Sequence, residues 1–194
     1  MIQDSDDEAD EEEEREEERE YIQSVSEDKS PLYGNLQLRD KPEDVLRFFS
    51  CNINGLSFWL SNNPKAKLLK YLLKKYQVDA LGLQETCINW SEFKNSQTLA
   101  SLLRDGTIEI KSVHSYNIHE TENIGRKQRG GTATLLRGEL AGRVIDRGKD
   151  ETGLGMWSWY RIRGEPGCRS RIVSAYAPTG NKDSDYGSYF KQIH

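Results

Sequence analysis

The stretch Ser50-Cys51-Asn52-Ile53-Asn54-Gly55-Leu56 decides how this chain is organised, together with Leu83-Gln84-Glu85-Thr86 about thirty residues later. Each is a polar cluster at the end of an apolar, strand-like run, and a helix-like segment separates the two runs. If both runs are parallel strands of one sheet, Asn52, Asn54 and Glu85 converge at the same edge. We therefore expect a small site of oxygen ligands at that edge.

The residues around these clusters have the pattern of a strand–helix–strand unit. Leu46–Ile53 is rich in strand formers, and Asn62-Asn63-Pro64 offers a cap and a first-turn proline for a helix. Apolar residues at three- and four-residue spacing predict that helix over Lys65–Tyr76, and Val78–Leu83 is typical of a buried parallel strand. Such crossovers return the second strand parallel to the first, so both carboxyl ends meet at one edge.

The rest of the chain predicts one short helix, at Ser96–Arg104, and then strands. The strands are predicted at Glu109–Tyr116, Gly131–Arg137, Gly142–Asp146, Trp157–Arg163 and Arg169–Tyr176. The turn signal Gly164–Gly167 joins the last two into an antiparallel hairpin. Helices at the front and antiparallel strands behind favour an α/β (α+β) fold with mixed sheets packed in layers.

Two tryptophans, Trp157 and Trp159, alternate on one face of the predicted hairpin. We expect them to pack between sheets, and base stacking is the functional alternative.

The charge is unevenly distributed along the chain. Residues 4–20 hold thirteen acidic side chains against Arg15 and Arg19, a net charge of −11. Because the whole chain carries −5, the remaining residues sum to +6, a mildly basic body that tolerates a polyanionic partner. A block of like charges with few apolar residues predicts a disordered acidic tail over 1–42, and the folded domain over 43–194. The tail is expected to be solvated or to bind a basic partner.

The compartment is suggested by what the sequence lacks. Cys51, Cys87 and Cys168 form no CxxC pair and are too few for a disulfide framework, which favours reduced thiols. There is no run of eighteen apolar residues and no basic, apolar leader at the N-terminus. The sequence therefore predicts a soluble, intracellular protein without a membrane span.

The residues at the predicted sheet edge suit a hard cation. Asn52 and Asn54 are two apart and point the same way, and Glu85 ends the neighbouring buried strand. One carboxylate with amide oxygens suits Mg²⁺ (or Mn²⁺), which accepts few protein ligands and keeps water and phosphate oxygens. The alternatives are that the asparagines form turns and that Gln84-Glu85-Thr86 caps a helix.

Three motifs in order resemble the endonuclease/exonuclease/phosphatase superfamily: Asn52–Leu56 (NINGL), Leu83–Thr86 (LQET) and Ala175–Pro178 (AYAP). The closest resemblance is to the endonuclease domain of non-LTR retrotransposons, which is similar to apurinic/apyrimidinic endonucleases. The glycine pair in Arg129–Ala133 (RGGTA) also fits that domain. The resemblance covers roughly residues 46–190 and implies a four-layer αββα sandwich that hydrolyses phosphoesters with Mg²⁺.

The resemblance also implies roles for individual residues. Glu85 would be the metal-binding carboxylate with Asn52 beside it, and Asn54 stands where related enzymes often carry Asp. Tyr176 would approach the scissile phosphate as a hydrogen-bond donor or proton-transfer group. The catalytic residues implied are thus Asn52, Glu85 and Tyr176, in a metal-assisted attack of water on phosphorus.

A basic loop before the glycine pair is the predicted nucleic-acid contact. Arg126, Lys127 and Arg129 would hold phosphates, with DNA as the expected partner and RNA as the alternative. The interpretation of these residues as exposed, solubilising charges stays equally open. A nuclear location follows from the resemblance alone.

The family's later motifs, Asp-x-Asn and a C-terminal Ser-Asp-His, do not occur in this sequence. Asp183-Ser184-Asp185 follows Pro178 too closely to serve as the first, and His194 is assigned no role. We therefore expect a partial sandwich covering about the first half of the domain, which folds poorly alone because it exposes strand faces and an edge. It is also expected to lack nuclease activity.

Two other interpretations remain open. The first keeps the superfamily and changes the substrate to a phosphomonoester, an RNA or a phospholipid headgroup. The second is a non-catalytic nucleic-acid-binding module with a regulatory acidic tail.

Overall fold

The computed structural model describes residues 41–56, 63–94, 96–118 and 128–177. All elements below lie in the unit Pro42–His194. The strands are β1 Phe48–Asn52, β2 Ala80–Gln84, β3 Ile110–Ser115, β4 Thr132–Arg137, β5 Val144–Lys149, β6 Trp157–Arg163 and β7 Arg169–Ala175. The helices are α1 Pro64–Lys75, α2 Leu99–Leu102 and α3 Glu139–Gly142, with a 3₁₀ turn at Trp90–Glu92.

The first sheet has the order β1-β2-β4-β3 and contains the predicted parallel pair. β1 pairs with β2 in parallel, whereas β4 is antiparallel to both β2 and β3. The pairing aligns Asn52 with Gln84, Gln84 with Thr132, and Thr132 with Ser115. The ends of all four strands therefore form one row, and the polar residues that follow β1 and β2 leave the sheet at the same edge, as predicted.

The second sheet is antiparallel, with the order β5-β6-β7, and the predicted β6–β7 hairpin is confirmed. Tyr160 and Ile162 of β6 pack with Val113 and Leu136 in a buried cluster between the sheets. The hydroxyl of Thr134 lies 2.9 Å from the carbonyl oxygen of Ser158, so polar as well as apolar contacts join the two layers. The mixed α/β, layered fold class predicted from the sequence is confirmed.

The prediction that Trp157 and Trp159 pack between the sheets is wrong. The Ser158 hydroxyl lies 2.9 Å from Thr134 Oγ1 and Tyr160 packs in the cluster between the sheets, so both face inward. Because side chains alternate along a strand, both tryptophans lie on the outer face of the second sheet, where Trp157 is nevertheless buried. There the Trp159 ring covers Gly148, where an added Cβ would come within 2.6 Å of the indole Nε1. The Arg171 guanidinium lies 4.4 Å from the Trp159 ring centroid.

The other face of the first sheet is covered by α1, whose Leu69 and Leu73 are buried in the larger core cluster. Asn63 caps this helix by accepting from the backbone N–H groups of Lys65 and Ala66, and Pro64 occupies its first turn. Such a cap stabilises a helix by about 1 kcal/mol, which explains why α1 begins at Pro64 rather than at Lys65.

The second predicted helix is shorter than expected. The side chains of Thr98 and Ser101 form a capping box, so α2 starts after Thr98 and not at Ser96. It ends at Leu102 because Leu103 leaves the helical conformation before Gly106, whose φ is +59°.

The strand predicted over Gly142–Asp146 begins later, at Val144, and runs to Lys149. The helical turn α3, which the sequence pattern does not predict, precedes it and buries Leu140 and Ala141. The first strand likewise begins at Phe48 rather than Leu46, since the Arg47 N–H bonds to the Asp79 carboxylate at 2.7 Å instead of to a strand.

Cys51, Cys87 and Cys168 form no disulfide, and burial raises the pKa of the Cys51 thiol to about 11. In the part of the chain that is described, no helix has the length and apolar character required to cross a membrane.

Candidate active site

The segments that follow β1 and β2 stay paired beyond the strands. The Gly55 N–H donates to the Glu85 carbonyl oxygen at 2.7 Å, and the Leu56 N–H donates to that of Thr86 at 2.9 Å. Asn54 and Glu85 have φ angles of 45° and 53°, in the left-handed region that L-residues rarely adopt. Such strain persists only where surrounding bonds impose it, and it is concentrated at functional sites.

Tyr176 brings the second sheet to this edge of the first. It follows β7 directly, and its backbone N–H donates to the Met156 carbonyl oxygen at 2.8 Å. Its hydroxyl donates to Oε1 of the half-buried Glu85 at 2.6 Å, a short, charge-assisted hydrogen bond. Two residues that are 91 positions apart in the sequence are therefore in direct contact at the sheet edge.

Asn52 holds the loop that follows β1. Its side-chain Oδ1 accepts from the Asn54 backbone N–H at 3.0 Å, which is an Asx turn. Asn52 and Asn54 are both exposed. The turn-forming role considered for asparagine here is thus present, and it orients the Asn52 amide beside the end of β2.

Lys65 fixes the same loop from the first turn of α1. Its ammonium donates to the carbonyl oxygens of Ile53 at 2.8 Å, Asn54 at 2.8 Å and Gly55 at 2.9 Å. The sequence pattern does not single out Lys65, because it is one of several lysines on the predicted helix. Its position in the first turn was the available signal, since a cation is unfavourable near a helix N-terminus and finds a better partner elsewhere.

The glycine pair allows the backbone to approach closely behind Glu85. At Gly131, with φ +86°, an added Cβ would lie 2.8 Å from Thr86 Oγ1 and 3.1 Å from the Ser115 carbonyl oxygen. At Gly130 an added Cβ would lie 3.8 Å from the Tyr176 ring. The Cys87 N–H donates to the Gly130 carbonyl oxygen at 2.8 Å, so the glycines pair with the segment that follows β2.

A polar bridge beneath the edge joins three strands. The Gln84 amide donates to Ser50 Oγ at 3.1 Å and to Ser174 Oγ at 3.0 Å. Ser174 in turn donates to the Leu83 carbonyl oxygen at 3.1 Å. These bonds fix the position of β7, and therefore of Tyr176, relative to β2.

Of the predicted basic loop, Arg129 is described and exposed, next to the glycine pair. Arg126 and Lys127 lie outside the described residues, as do Asp183–Asp185 and His194.

The donor set fits a small hard cation with few protein ligands. Oε1 of Glu85 is bonded to Tyr176, which leaves Oε2 of the same carboxylate. The Asn52 and Asn54 side chains are exposed, and Asn52 Oδ1 already accepts from the Asn54 N–H. The carbonyl oxygens of Ile53, Asn54 and Gly55 already accept from an ammonium. No group of three or more His, Cys, Asp or Glu side chains could enclose a metal within the described ranges. A cation here would be held mainly by Glu85 and would keep water and substrate ligands, as Mg²⁺ does.

The protein is a layered α/β protein with mixed sheets, and it carries the Glu85–Tyr176 pair at the ends of its strands. Residues 49–189 match the model of the endonuclease/exonuclease/phosphatase family. The chain belongs to this family.

Among solved structures, the chain is similar to an AP endonuclease from Archaeoglobus fulgidus, with 19% sequence identity and a TM-score of 0.46. The match covers 77% of this chain and 48% of that chain, so this chain spans about half the length of that relative. No curated protein matched the sequence.

Proposed function

We propose that the edge formed by Asn52, Asn54, Glu85 and Tyr176 is the metal- and phosphate-binding part of a Mg²⁺-dependent phosphodiesterase site. The observation that carries this proposal is the 2.6 Å hydrogen bond between Tyr176 and Glu85, at strand ends of a chain that belongs to a phosphoesterase family. The most specific form of the proposal is a DNA endonuclease of the retrotransposon type, and it rests on the sequence resemblance.

Each residue has a distinct task in this proposal. Glu85 holds the cation through its carboxylate, with the Asn52 and Asn54 amides as neutral oxygen donors. The cation, when bound, stabilises the charge that develops on the phosphate oxygens. The Tyr176 hydroxyl, oriented by Glu85 and by the bonds that fix β7, donates a hydrogen bond to a phosphate oxygen that enters the site.

The basic residues before the glycine pair are proposed to hold the nucleic-acid backbone. The exposure of Arg129 beside Gly130 supports this role for it, and Arg126 and Lys127 are proposed with it. A net charge of +6 outside the acidic block supports a polyanionic substrate, which we propose to be DNA rather than RNA. Residues 1–42 are proposed as a separate acidic tail that binds a basic partner, and a DNA substrate would place the protein in the nucleus.

We expect the 194-residue chain to bind metal and DNA without efficient turnover. Activation of water requires a second group near the phosphorus. Across the described ranges, no His or Asp side chain hydrogen-bonds with Glu85 or Asn52.

The experiment compares the DNA affinity of the full chain in Mg²⁺ and in EDTA. The Glu85→Ala variant tests the site, and Glu92→Ala, an exposed carboxylate in the 3₁₀ turn, is the matched control. We expect Mg²⁺ to increase affinity in the wild type and in Glu92→Ala but not in Glu85→Ala. DNA affinity that is the same in Mg²⁺ and in EDTA, in the wild type as in Glu85→Ala, would contradict the proposal and favour a non-catalytic binding module.

A plasmid-nicking assay with the same proteins tests the expected lack of turnover. Mg²⁺-dependent nicking that disappears in Glu85→Ala would contradict the inactivity of the chain while supporting the site itself.

A further inference from the structure

Two adjoining clefts run along the β3 edge of the first sheet. One, of about 630 Å³, is lined by residues of the 3₁₀ turn, β3 and β5. The other, of about 550 Å³, is lined by residues of α2, β3 and β5. Thr98, Ser112 and Arg147 line both clefts, so the two form one continuous groove, hereafter the β3 groove.

The β3 groove is basic. Its described charged lining residues are Lys94, Arg104, Lys111, Arg147 and Lys149, and none of the described lining residues is Asp or Glu. Lys111 is engaged, with its ammonium 3.0 Å from the Glu109 carboxylate. Lys149 lies over the Tyr116 ring at 5.3 Å, which leaves its charge unneutralised. Among the described residues, Lys94, Arg104 and Arg147 form no ion pair, so the groove holds uncompensated positive charge.

The uncharged polar groups of the β3 groove are set to donate. Thr98 Oγ1 accepts from the Ser101 N–H at 3.2 Å, and Ser112 Oγ accepts from the Ala100 N–H at 3.0 Å. Because each hydroxyl oxygen is occupied by a backbone donor, its own proton is left to bond outward. The groove therefore presents hydroxyl donors between cations, which is the chemistry that binds phosphate oxygens.

His114 belongs to the wall of the groove and stays neutral. Its Nε2 accepts from the Leu99 N–H at 3.2 Å, which places its proton on Nδ1, and its ring stacks on Trp90 at 3.8 Å. Burial, and then the charges of Arg147 and Lys149, lower its pKa to about 3. The Leu99 and Ala100 N–H groups of α2 are both bonded to β3 side chains, so they take no part in holding a ligand.

The β3 groove is separate from the candidate active site. β1 and β3 are the two opposite edges of the first sheet, and Asn52, Glu85 and Tyr176 line neither cleft. The groove also differs in charge, because its described charged residues are all cationic whereas the candidate active site contains the Glu85 carboxylate.

We propose that the β3 groove binds the sugar–phosphate backbone of a nucleic-acid strand through Lys94, Arg104 and Arg147, as a second contact that requires no metal. The proposal rests on the nucleic-acid substrate proposed above. The proposal adds a contact surface along β3, away from the strand ends that carry the candidate active site. This surface would hold the part of a nucleic-acid strand that extends beyond the reacting phosphate. Two adjoining clefts with cations in each match a ligand with repeated phosphates better than a single free anion.

The test measures binding of the full chain to a fluorescein-labelled single-stranded oligonucleotide by anisotropy, in EDTA and over a series of salt concentrations. The groove variant is Lys94→Gln/Arg104→Gln/Arg147→Gln. The control variant, Lys67→Gln/Lys70→Gln/Lys74→Gln, removes the same charge from the outer side of α1. We expect the groove variant to lower affinity by at least about tenfold at low salt and to reduce the slope of log K against log salt by about 2. The control should change affinity less than about twofold.

The proposal would be overturned if the two triple variants lost affinity for the oligonucleotide equally, or if the groove variant lost none. It would also be overturned if the wild type did not bind the oligonucleotide. Equally tight binding of a polyglutamate peptide of matched charge would also overturn it, because the groove would then select charge alone. If the triple groove variant loses its native circular dichroism spectrum, Arg147→Gln alone should reduce the slope by about 0.7, and an unchanged slope would contradict the proposal. Because EDTA is present throughout, failure of the metal site leaves this result intact.

Discussion

The Tyr176 hydroxyl lies 2.6 Å from Oε1 of Glu85, and this bond joins the end of the second sheet to the end of the first. Glu85 sits in a strained, left-handed conformation, with φ 53°, that its neighbours impose. The Gln84–Ser174 bond beneath it keeps β7, and therefore Tyr176, in place. The pair is thus held in a fixed position by both sheets, which is the preorganisation that the proposed phosphate site would require.

Replacing Tyr176 with Phe should remove this bond and leave the ring packing unchanged. A hydrogen bond to a charged group contributes about 1.5–3 kcal/mol, reduced here because both groups are only half-buried. We expect a loss of about 1 kcal/mol in the free energy of unfolding, measured in urea, and a smaller effect of Mg²⁺ on DNA affinity. Tyr116→Phe on the β3 side is the control, and an equal Mg²⁺ effect in both variants would contradict the role assigned to Tyr176.

Replacing Lys65 with Met should release the loop after β1, because three carbonyl oxygens lose their ammonium donor. We expect amide hydrogen exchange in residues 52–56 to become at least about tenfold faster, equivalent to about 1.4 kcal/mol of local stability. Lys67→Met, on the same helix, is the control. Unchanged exchange in the Lys65 variant would show that the loop is held by its backbone pairing to Glu85 and Thr86 alone.

Gly131→Ala should be clearly more destabilising than Gly106→Ala. Both glycines have positive φ, +86° and +59°, so both variants carry the strain of an L-residue in that region. Only at Gly131 does the added Cβ overlap a neighbour, at 2.8 Å from Thr86 Oγ1, whereas nothing lies within 4 Å at Gly106. We expect the Gly131 variant to lose at least about 1 kcal/mol more in urea unfolding. An equal loss of unfolding free energy in the two variants would mean that the segment behind Glu85 shifts to accommodate the added methyl group.

Acidification should destabilise the fold through His114, whose pKa is lowered from 6.5 to about 3. Between these values the unfolded chain binds a proton that the folded chain does not, so stability rises with pH across this window and falls as pH decreases. His114 should contribute a loss of about 2 kcal/mol between pH 7 and pH 5. The difference in unfolding free energy between wild type and His114→Gln should change by that amount, while His119→Gln serves as the control. A pH-independent difference would contradict a neutral His114.

The sequence predicted those features that depend on local pattern and on chain direction. The apolar spacing predicts the parallel strands β1 and β2 and the helix α1 that connects them. The parallel pairing is enough to bring Asn52 and Glu85 to the same end of the sheet. The resemblance added Tyr176, whose contact with Glu85 spans 91 positions. The roles of these residues stay predictions, because the geometry shows their placement and not their chemistry.

The features that the sequence did not predict depend on three-dimensional packing. Lys65 is one of several lysines on α1. Of these described lysines, it alone donates to the carbonyl oxygens of the loop after β1, because the fold brings that loop next to it. Trp157 and Trp159 were assigned to the wrong face, since alternation alone does not say which face of β6 meets the first sheet. The β3 groove combines residues from the 3₁₀ turn, α2, β3 and β5, which no local pattern brings together.

The most direct test of the central claim is a Mn²⁺ titration of the full chain, followed by electron paramagnetic resonance, with Mg²⁺ as competitor. We predict one site, displaced by Mg²⁺, whose affinity falls at least about tenfold in Glu85→Gln, equivalent to about 1.4 kcal/mol, and is unchanged in Glu92→Gln. Equal Mn²⁺ affinity in the wild type and Glu85→Gln would contradict the account, because Glu85 would then not be the metal-binding carboxylate.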